Sequence, residues 1–540
     1  MDGGIGLDYG DLGRWPVTGT GVSALRSDAH RLMEPGGLVP IRAPGPSSPS
    51  RPKPWLTDVY ALDEAPFGRG SYGEVIGATH RRTGARRAVK IVAKAGLRRY
   101  VKDVSGFVRR EVDILRRLDH PNIVRLYEAF EDEAHICLVL EICAGGDLLE
   151  RVTVARDRMP EHTAALLMTQ MLAAVQHLFL RGVVHRDIKP ENYLFTRRET
   201  EREPNPPIKL IDFGLSRQLD LAAGTRMTPK IGTTEYMAPE AFAGRIKPAM
   251  ADRADIWSLG VVLHVIFIGH FPSPRLAELS TEEYLAMPCW RQISAQGRDF
   301  LAQMIRYEPE HRPTVSRALR HPWLASVATA SPHAARWARG LPQVLSAYAQ
   351  SPELRRVALV AAARETDEND LRELVEVFRE LEVSCEGQLT RPALHQVAQR
   401  PHGNLAPLAA ELLRRFDALD VDGSDNVDWS EIVASVIGAG LSNLLGRGAM
   451  PSFDDSFCLR SFDLLSQGTG KVSGASLAQL FLSVEADAWQ VSPSGGTGGS
   501  FDHSGAGGTQ RIAEYGRICR EVDPRETVDR ARFLAMMRGR

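Results

Sequence analysis

Apolar positions follow two different periodicities along the middle of this 540-residue chain. Short strand-like runs come first, after Tyr60, in the segments GEVIGATH, RRAVKIVAK and HICLVLEI. Longer runs with helical spacing follow, for instance AALLMTQMLAAVQHLFLRG and DIWSLGVVLHVIF. Alternation predicts strands and the longer spacing predicts helices. The pattern therefore predicts one globular unit over residues 58–324, with its strands first and its helices second.

The flanking segments have other patterns. Residues 1–57 are rich in Gly, Pro, Ser and Arg, and such a composition buries too little apolar surface to fold, so we predict disorder there. Residues 325–370 contain two helical stretches with several arginines. From 371 to 540, helix pairs flank short polar loops, and Gly and Ser crowd residues 490–510, which predicts a flexible insertion.

Composition narrows the class of protein. Lys and Arg number 66 against 67 for Asp and Glu, so nothing favours nucleic-acid binding. The six cysteines form no CxxC pair, which gives no zinc or disulfide framework and favours a reducing compartment. We find no apolar run of about 18 residues and no signal peptide, and Asp2 stands where N-myristoylation requires Gly. We therefore expect a cytoplasmic chain without a membrane span.

A glycine-rich run lies between the first two predicted strands. The residues expected to approach a nucleotide there are Gly68, Gly70, Ser71, Gly73 and Val75. Glycines let backbone N–H groups come close to phosphate oxygens. Alone the pattern is a weak signal, because a plain hairpin has a similar composition.

Two charged residues follow at informative places. Ala88 and Lys90 lie on the next predicted strand, and Lys90 would hold the α- and β-phosphates of ATP. Glu111, on the amphipathic helix FVRREVDILRRL, would pair with Lys90. Taken singly, each is better explained as a solvated surface charge.

The segment HRDIKPEN at 185–192 changes that balance. Phosphoryl transfer needs a phosphate cradle, metal ligands and a carboxylate that orients the acceptor hydroxyl. Asp187 would accept the hydroxyl proton, Lys189 would neutralise the transferring phosphate, and Asn192 would hold one Mg²⁺. Asp212, in the DFG run after IKLI, would bind the bridging Mg²⁺. Several motifs in the correct order make coincidence a negligible alternative.

With APE at 238–240, these motifs resemble the eukaryotic protein kinases over residues 58–324. The resemblance implies an α+β bilobal protein kinase fold, and Lys189 resembles the serine/threonine branch. It places Glu141 and Cys143 in the hinge that contacts ATP. Since no catalytic residue is missing, the residues argue against an inactive kinase-fold scaffold.

Two acids have open roles. Asp147 and Glu191 align with positions where kinases that prefer basic substrates hold a substrate arginine, and Arg–carboxylate pairing makes that preference reasonable. Alternatively, Asp147 binds the ATP ribose or caps a helix. The sequence does not decide between these roles.

Residues 420–431, DVDGSDNVDWSE, carry oxygen donors at the spacing of an EF-hand calcium loop. The predicted ligands are Asp420, Asp422, Ser424, the Asn426 carbonyl, Asp428 through water, and Glu431. Asp425 replaces the usual glycine. Asp tolerates positive φ better than most residues, so we expect weakened affinity rather than loss.

Three other segments, near 382–393, 465–476 and 523–532, look like EF-hand loops that have lost ligands. Ala393 and Arg532 stand where the closing acid is expected, and 465–476 has no carboxylate. The predicted cofactors are therefore ATP, Mg²⁺ and about one Ca²⁺.

A kinase, a junction over 325–370 and EF-hand-like units over 371–540 together resemble the calcium-dependent protein kinase family. The resemblance implies an all-α, calmodulin-like domain with an intramolecular contact to the kinase. It also implies an autoinhibitory junction, substrates with Ser or Thr near basic residues, and a monomer. A kinase modulated by Ca²⁺ and a kinase active without Ca²⁺ both remain open, and intact Lys90, Asp187 and Asp212 disfavour a scaffold.

Overall fold

A computed structural model gives the structure of most of the chain. It describes residues 56–437, apart from 71–72, 83, 99–102, 133, 155–158, 199–206, 219–233, 245, 248–249, 270–287, 326–333, 365, 367–370, 383–387, 401–404 and 422, and beyond these residues 458, 462, 471–473 and 527–537. Residues 1–55 of the predicted disordered extension, the insertion at 490–510 and most of the predicted loop at 465–476 lie outside the described residues. The prediction of disorder was wrong for Leu56 and Thr57, which begin a helix at Leu56–Val59 in which Leu56 is buried against the small-lobe sheet.

The strands of residues 56–325 are β1 (Tyr60–Gly70), β2 (Gly73–His80), β3 (Arg86–Ala93), β4 (Leu126–Glu131), β5 (His135–Leu140), β6 (Val183–Val184), β7 (Tyr193–Phe195), β8 (Ile208–Leu210) and β9 (Arg217–Gln218). The α-helices are α1 (Leu56–Val59), α2 (Lys94–Leu97), α3 (Val104–Arg116), α4 (Leu148–Val154), α5 (Glu161–Leu180), α6 (Pro239–Phe242), α7 (Asp252–Ile268), α8 (Ala295–Met304), α9 (Val315–Leu319) and α10 (Pro322–Ala325).

The small lobe is built on the antiparallel sheet β1-β2-β3-β5-β4. Helix α3 buries Val108 and Val112 in one cluster with Ile136 and Leu138 of β5. Its N-terminus is capped by Asp103, whose carboxylate accepts the Gly106 amide at 2.9 Å. The packing of α3 against β5 fixes the position of Glu111 relative to the sheet.

The large lobe is organised around α5 and α7, which bury side chains on almost every face. Helices that are apolar all round belong inside a core. Among the described residues, α5 alone is long and apolar enough to cross a membrane by length and composition, and 72% of its apolar window is buried inside the protein. That burial is typical of a helix at the centre of a folded core.

The described elements beyond residue 325 are α11 (Ala334–Ala349), α12 (Glu353–Arg364), α13 (Arg372–Leu381), β10 (Gln388–Thr390), α14 (Arg391–Ala398), α15 (Ala406–Arg414), α16 (Phe416–Leu419), β11 (Asn426–Asp428), α17 (Trp429–Ile437), β12 (Lys471–Ser473), β13 (Thr527–Asp529) and α18 (Arg530–Met537). Two antiparallel ribbons, β10 with β11 and β12 with β13, link loops that the sequence predicts to be EF-hand loops.

The two helices of the predicted junction share one core with this C-terminal region. Leu345 and Tyr348 of α11 and Leu359 of α12 belong to the same buried cluster as Trp429 and Phe533. Helix α12 packs against α17 and α18, and α11 packs against α15 and α17. The junction helices are thus structural members of the C-terminal core, and their predicted autoinhibitory role remains a prediction.

The bilobal α+β kinase fold predicted for residues 58–324 is confirmed by the sheet-rich small lobe and the helical large lobe. The exact register follows from the strand pairs. Val75 lies opposite Lys90, and Gly68 lies opposite Val75, so the glycine-rich turn stands next to the lysine.

Candidate functional site

A buried lysine joins the two lobes. Lys90 Nζ lies 2.8 Å from Glu111 Oε1 and 2.9 Å from Asp212 Oδ1. Burial alone would lower the pKa of Lys90, but the Asp212 and Glu111 carboxylates outweigh it and raise that pKa above its ordinary value. Burial would raise the pKa of Asp212, and Lys90 reverses this, so the net pKa is lowered. The ammonium and the Asp212 carboxylate are therefore both ionised at neutral pH.

The catalytic segment after β6 is held by a buried carboxylate of α7. Asp255 accepts the backbone N–H groups of His185 and Arg186 at 3.0 and 3.1 Å. Arg186 has φ of 70°, a left-handed conformation that costs free energy for a side-chain-bearing residue. The two hydrogen bonds stabilise this backbone. Burial raises the pKa of Asp255 to about 6.

Three predicted catalytic side chains meet in this segment. Lys189 Nζ lies 2.8 Å from Asp187 Oδ2, and Asn192 Nδ2 donates to the same oxygen at 3.0 Å. Asn192 Nδ2 also donates to the Asp187 carbonyl at 2.7 Å. The carboxylate that would receive the hydroxyl proton is therefore oriented from both sides.

The DFG segment is anchored through its aromatic ring. Phe213 packs edge-on against His185, with ring centroids 5.0 Å apart, and His185 Nε2 lies 3.1 Å from the Ile211 carbonyl. Burial lowers the pKa of His185, which keeps its ring neutral. Asp212 has φ of 60°. The Asp212 side chain contacts Lys90 from a segment whose backbone is left-handed at Asp212 and whose Phe213 ring is packed against His185.

The described residues among those predicted to face the nucleotide lie around this centre. A Cβ on Gly73 would stand 1.9 Å from the Ile91 carbonyl oxygen, so only glycine fits there, and Ser71 lies outside the described residues. Ala88 is paired with Leu140, directly before the hinge residues Glu141 and Cys143.

The hinge contains an ion pair that the sequence analysis missed. Lys209 Nζ, on β8, lies 2.9 Å from Glu141 Oε2, and the Lys209 side chain is only 1% exposed. Glu141 is therefore neutralised inside the protein and faces the large lobe. The only signal in the sequence was a lysine inside the apolar run IKLI, which reads equally well as a strand residue facing solvent.

The two acids with open roles lie in different environments. Asp147 Oδ1 accepts the Glu150 amide at 2.7 Å and caps α4, which is one of the alternatives considered. Glu191 Oε2 is buried and has no hydrogen-bond partner among the described residues. Burial raises the pKa of Glu191, and Asp147 adds to that rise, so the two carboxyl groups are close enough to interact.

The donors fit a magnesium nucleotide. Asp212 supplies a carboxylate and Asn192 an amide carbonyl, and oxygen donors of this kind suit Mg²⁺. Asp212 lies beside Lys90, which would face the phosphates, and Asn192 lies beside Asp187, which would face the acceptor hydroxyl. Mg²⁺ would neutralise charge on the phosphates, while these side chains hold the nucleotide and the acceptor in line.

The predicted calcium loop is largely described, apart from Asp422. Ser424 Oγ lies 3.5 Å from Asp420 Oδ1 and 3.1 Å from the Asn426 carbonyl oxygen, so three predicted ligand positions converge. Asp425 has φ of 60°, the conformation that its position in the loop requires.

The remaining carboxylates of the loop are held by backbone amides. Glu431 accepts the Val421 amide at 2.7 Å and the Asp428 amide at 2.9 Å. Asp420 accepts the amides of Ser424 and Asp425, each at 2.8 Å. Over the described part of the chain, which omits Asp422, no group of three or more His, Cys, Asp or Glu side chains is gathered as tightly as a metal site. The oxygens nevertheless suit Ca²⁺ by type and order.

Two of the three EF-hand-like loops that have lost ligands are described at their closing positions, and neither has a carboxylate there. Ala393 is buried, and its amide donates to the Thr390 hydroxyl at the start of α14. Arg532 is exposed, and its amide donates to Asp529 at 2.8 Å. At both positions the backbone amide is capped by a side chain three residues earlier, and the residue itself offers no carboxylate to a cation.

Comparison with known proteins agrees with the geometry. Residues 62–324 match the protein kinase domain family. The chain is 32% identical over 392 residues to calcium-dependent protein kinase 3 of Plasmodium berghei, covering 71% of this chain and 67% of that one. It is 30% identical over 446 residues to calcium-dependent protein kinase 17 of Arabidopsis thaliana, covering 81% of each.

The fold and the site thus define a protein kinase that uses ATP and Mg²⁺. The chain belongs to the calcium-dependent protein kinase family, and it is a serine/threonine protein kinase, as the sequence predicted.

Proposed function

We propose that this kinase phosphorylates Ser or Thr in segments that contain arginine, and that Ca²⁺ bound at residues 420–431 modulates its activity. The observation that carries the first part is the buried, unpartnered Glu191 Oε2 beside Asp147. A buried carboxylate oxygen without a partner is costly, and a guanidinium is the donor that satisfies it best. A substrate arginine would supply that donor and lower the pKa of Glu191.

Paired peptides test this proposal. One peptide contains an arginine on the N-terminal side of the acceptor serine, and its partner has alanine there. Glu191→Gln should lower kcat/KM for the arginine peptide by about tenfold, the scale of one charged hydrogen bond, and leave the alanine peptide nearly unchanged. Glu310→Gln, on the exposed surface, is the matched control. Equal losses on both peptides would show that Glu191 only supports the fold.

The second part of the proposal rests on the convergence of Asp420, Ser424 and Asn426. A single site with free Ca²⁺ about 100-fold above its dissociation constant stabilises the bound state by at most about 2.7 kcal/mol. Driving an inhibited:active ratio from about 99:1 to 1:99 needs roughly 5.5 kcal/mol. We therefore expect a graded calcium effect, with substantial basal activity or incomplete activation.

Isothermal titration calorimetry of the full chain tests the site. We expect about one Ca²⁺ per chain, because one loop has a full set of ligands. Glu431→Gln should abolish the binding heat and any effect of Ca²⁺ on peptide phosphorylation. Two or more tight sites, or a steep sigmoidal activation curve, would contradict the proposal.

One observation favours the alternative of a calcium-independent kinase. Asp420 and Glu431 already accept backbone amides within their own loop, so the loop has internal support without a cation. In that case calorimetry should show no Ca²⁺ binding, and activity should be equal in Ca²⁺ and in chelator.

A further inference from the structure

Among the described residues, polar contacts from Arg181 and Asp119 join the predicted calcium loop to the kinase. Arg181, directly after α5, lies 3.5 Å from Asp428 Oδ1, and both side chains are 19% exposed. The Ser430 amide, in the first turn of α17, donates to Asp119 Oδ2 at 3.0 Å. A kinase cation thus meets a loop carboxylate, and a kinase carboxylate meets the N-terminus of a loop helix, where negative charge is favoured.

The kinase side of this contact is organised by its own hydrogen bonds. Arg181 Nε donates to the Arg117 carbonyl at 3.1 Å. His177 is fully buried, and its Nε2 accepts the Asp119 amide at 3.3 Å. Arg125 lies 3.1 Å from Asp119 Oδ1. The guanidinium and the carboxylate are therefore held in place, and a held ion pair loses less side-chain entropy than a mobile one.

Asp428 occupies the ninth position of the loop, which the EF-hand pattern assigns to calcium through a water molecule. Its Oδ1 also accepts from Gln388 Nε2 of the neighbouring ribbon strand. The same carboxylate therefore faces Arg181 and would face a bound Ca²⁺. Two cations that share one carboxylate repel each other and divide its charge.

We propose that Arg181 competes with Ca²⁺ for Asp428, so that contact between the loop and the kinase and calcium binding oppose each other. This inference rests on the proposed calcium site. By reciprocity, whatever weakens the contact strengthens calcium binding, and calcium weakens the contact by the same factor. Arg181 thereby sets the calcium concentration at which the loop responds.

Calorimetry of the full chain with Ca²⁺ tests the inference. Removing the guanidinium charge in Arg181→Gln should tighten Ca²⁺ binding by roughly three- to tenfold, given a partly exposed charge acting on a divalent ion. Arg181→Lys keeps the charge and should stay closer to the wild-type affinity. Lys247→Gln is the matched control, because it removes a positive charge from an exposed ion pair within the large lobe and should change nothing.

A second measurement covers the case in which Arg181→Gln unfolds locally. In the wild-type chain, hydrogen exchange of the Ser430 amide should become faster when Ca²⁺ is added, because that amide loses Asp119 Oδ2 as its acceptor. Equal calcium affinities in the wild type and Arg181→Gln, or unchanged or slower exchange of the Ser430 amide, would overturn the inference while leaving the calcium site intact. Absence of Ca²⁺ binding in every variant would overturn the proposed calcium site and, with it, this inference.

Discussion

Replacing Glu111 by Gln tests what the contact between Glu111 and Lys90 contributes to stability and to turnover. The change keeps the shape of the side chain and removes its charge, while Lys90 keeps Asp212 at 2.9 Å. The side chains of Lys90 and Glu111 are only 9% and 4% exposed, so water cannot replace the lost partner. A hydrogen bond to a charged group contributes about 1.5–3 kcal/mol. We expect the free energy of unfolding to fall by an amount in that range. The loss is smaller than for a buried charge with no partner, because Lys90 keeps Asp212.

In Glu111→Gln, turnover should fall by more than the loss of stability alone would cause. Without Glu111, the ammonium is drawn towards Asp212 and is no longer positioned for the phosphates. Removal of one preorganised electrostatic group typically costs about a hundredfold or more in turnover. Peptide phosphorylation at saturating Mg²⁺-ATP measures that loss, and the thermal unfolding midpoint measures stability.

Glu131→Gln is the matched control. Glu131 lies 2.8 Å from Lys94 Nζ in the same lobe, with side chains 13% and 11% exposed. This variant should lose similar stability and retain turnover. If Glu111→Gln keeps near-normal turnover, Glu111 is only a structural residue. If Glu131→Gln loses as much turnover, the loss reflects a weakened lobe rather than the lysine.

The other predictions concern residues of the same centre. Asp212→Ala and Asp187→Asn should each nearly abolish phosphotransfer in a radiometric peptide assay while the circular dichroism spectrum is retained, and near-normal turnover of Asp212→Ala would refute the assigned metal ligand. Burial raises the pKa of Asp255 from 3.8 to about 6. The contribution of protonated Asp255 to the free energy of unfolding is therefore fully present below pH 3.8 and is lost as the pH rises through about 6. Protonation below about pH 6 weakens its two hydrogen bonds, so kcat should fall with acidity there, and an unchanged acidic limb in Asp255→Asn would contradict this. Gly73→Ala should lower the thermal midpoint of the kinase lobe, because its Cβ would stand 1.9 Å from the Ile91 carbonyl oxygen, and an unchanged midpoint would show that β2 and β3 can separate without cost.

The catalytic centre could be predicted because each motif has a chemical requirement that few residues satisfy. A lysine expected to face phosphate, a carboxylate expected to bind metal and a glycine-rich turn can all be read from the sequence, and the structure brings Lys90 and Asp212 together. The Lys209–Glu141 pair could not be predicted, because a lysine in a short strand gives no sign of which face it occupies. Its burial depends on the packing of β8 beneath the hinge.

The contact between the predicted calcium loop and the kinase could not be predicted from the sequence, for another reason. Asp119 and Ser430 are 311 residues apart, and each belongs to a segment with an adequate local explanation. A charge on a loop reads as solvated until the fold brings an opposite charge to it. Long-range pairing of polar groups has no periodicity, so only the assembled structure reveals it.

The placement of the junction helices determines where the chain can be divided. Helices α11 and α12 share the core that contains Phe533 of α18. The first and last described helices beyond residue 325 therefore belong to one hydrophobic core. A recombinant catalytic fragment that stops at residue 364 would carry two helices with bare apolar faces and should aggregate. A fragment ending after Pro322–Ala325 omits these two helices and keeps Trp323 and Leu324 buried in the large lobe, so it is the natural unit for expression.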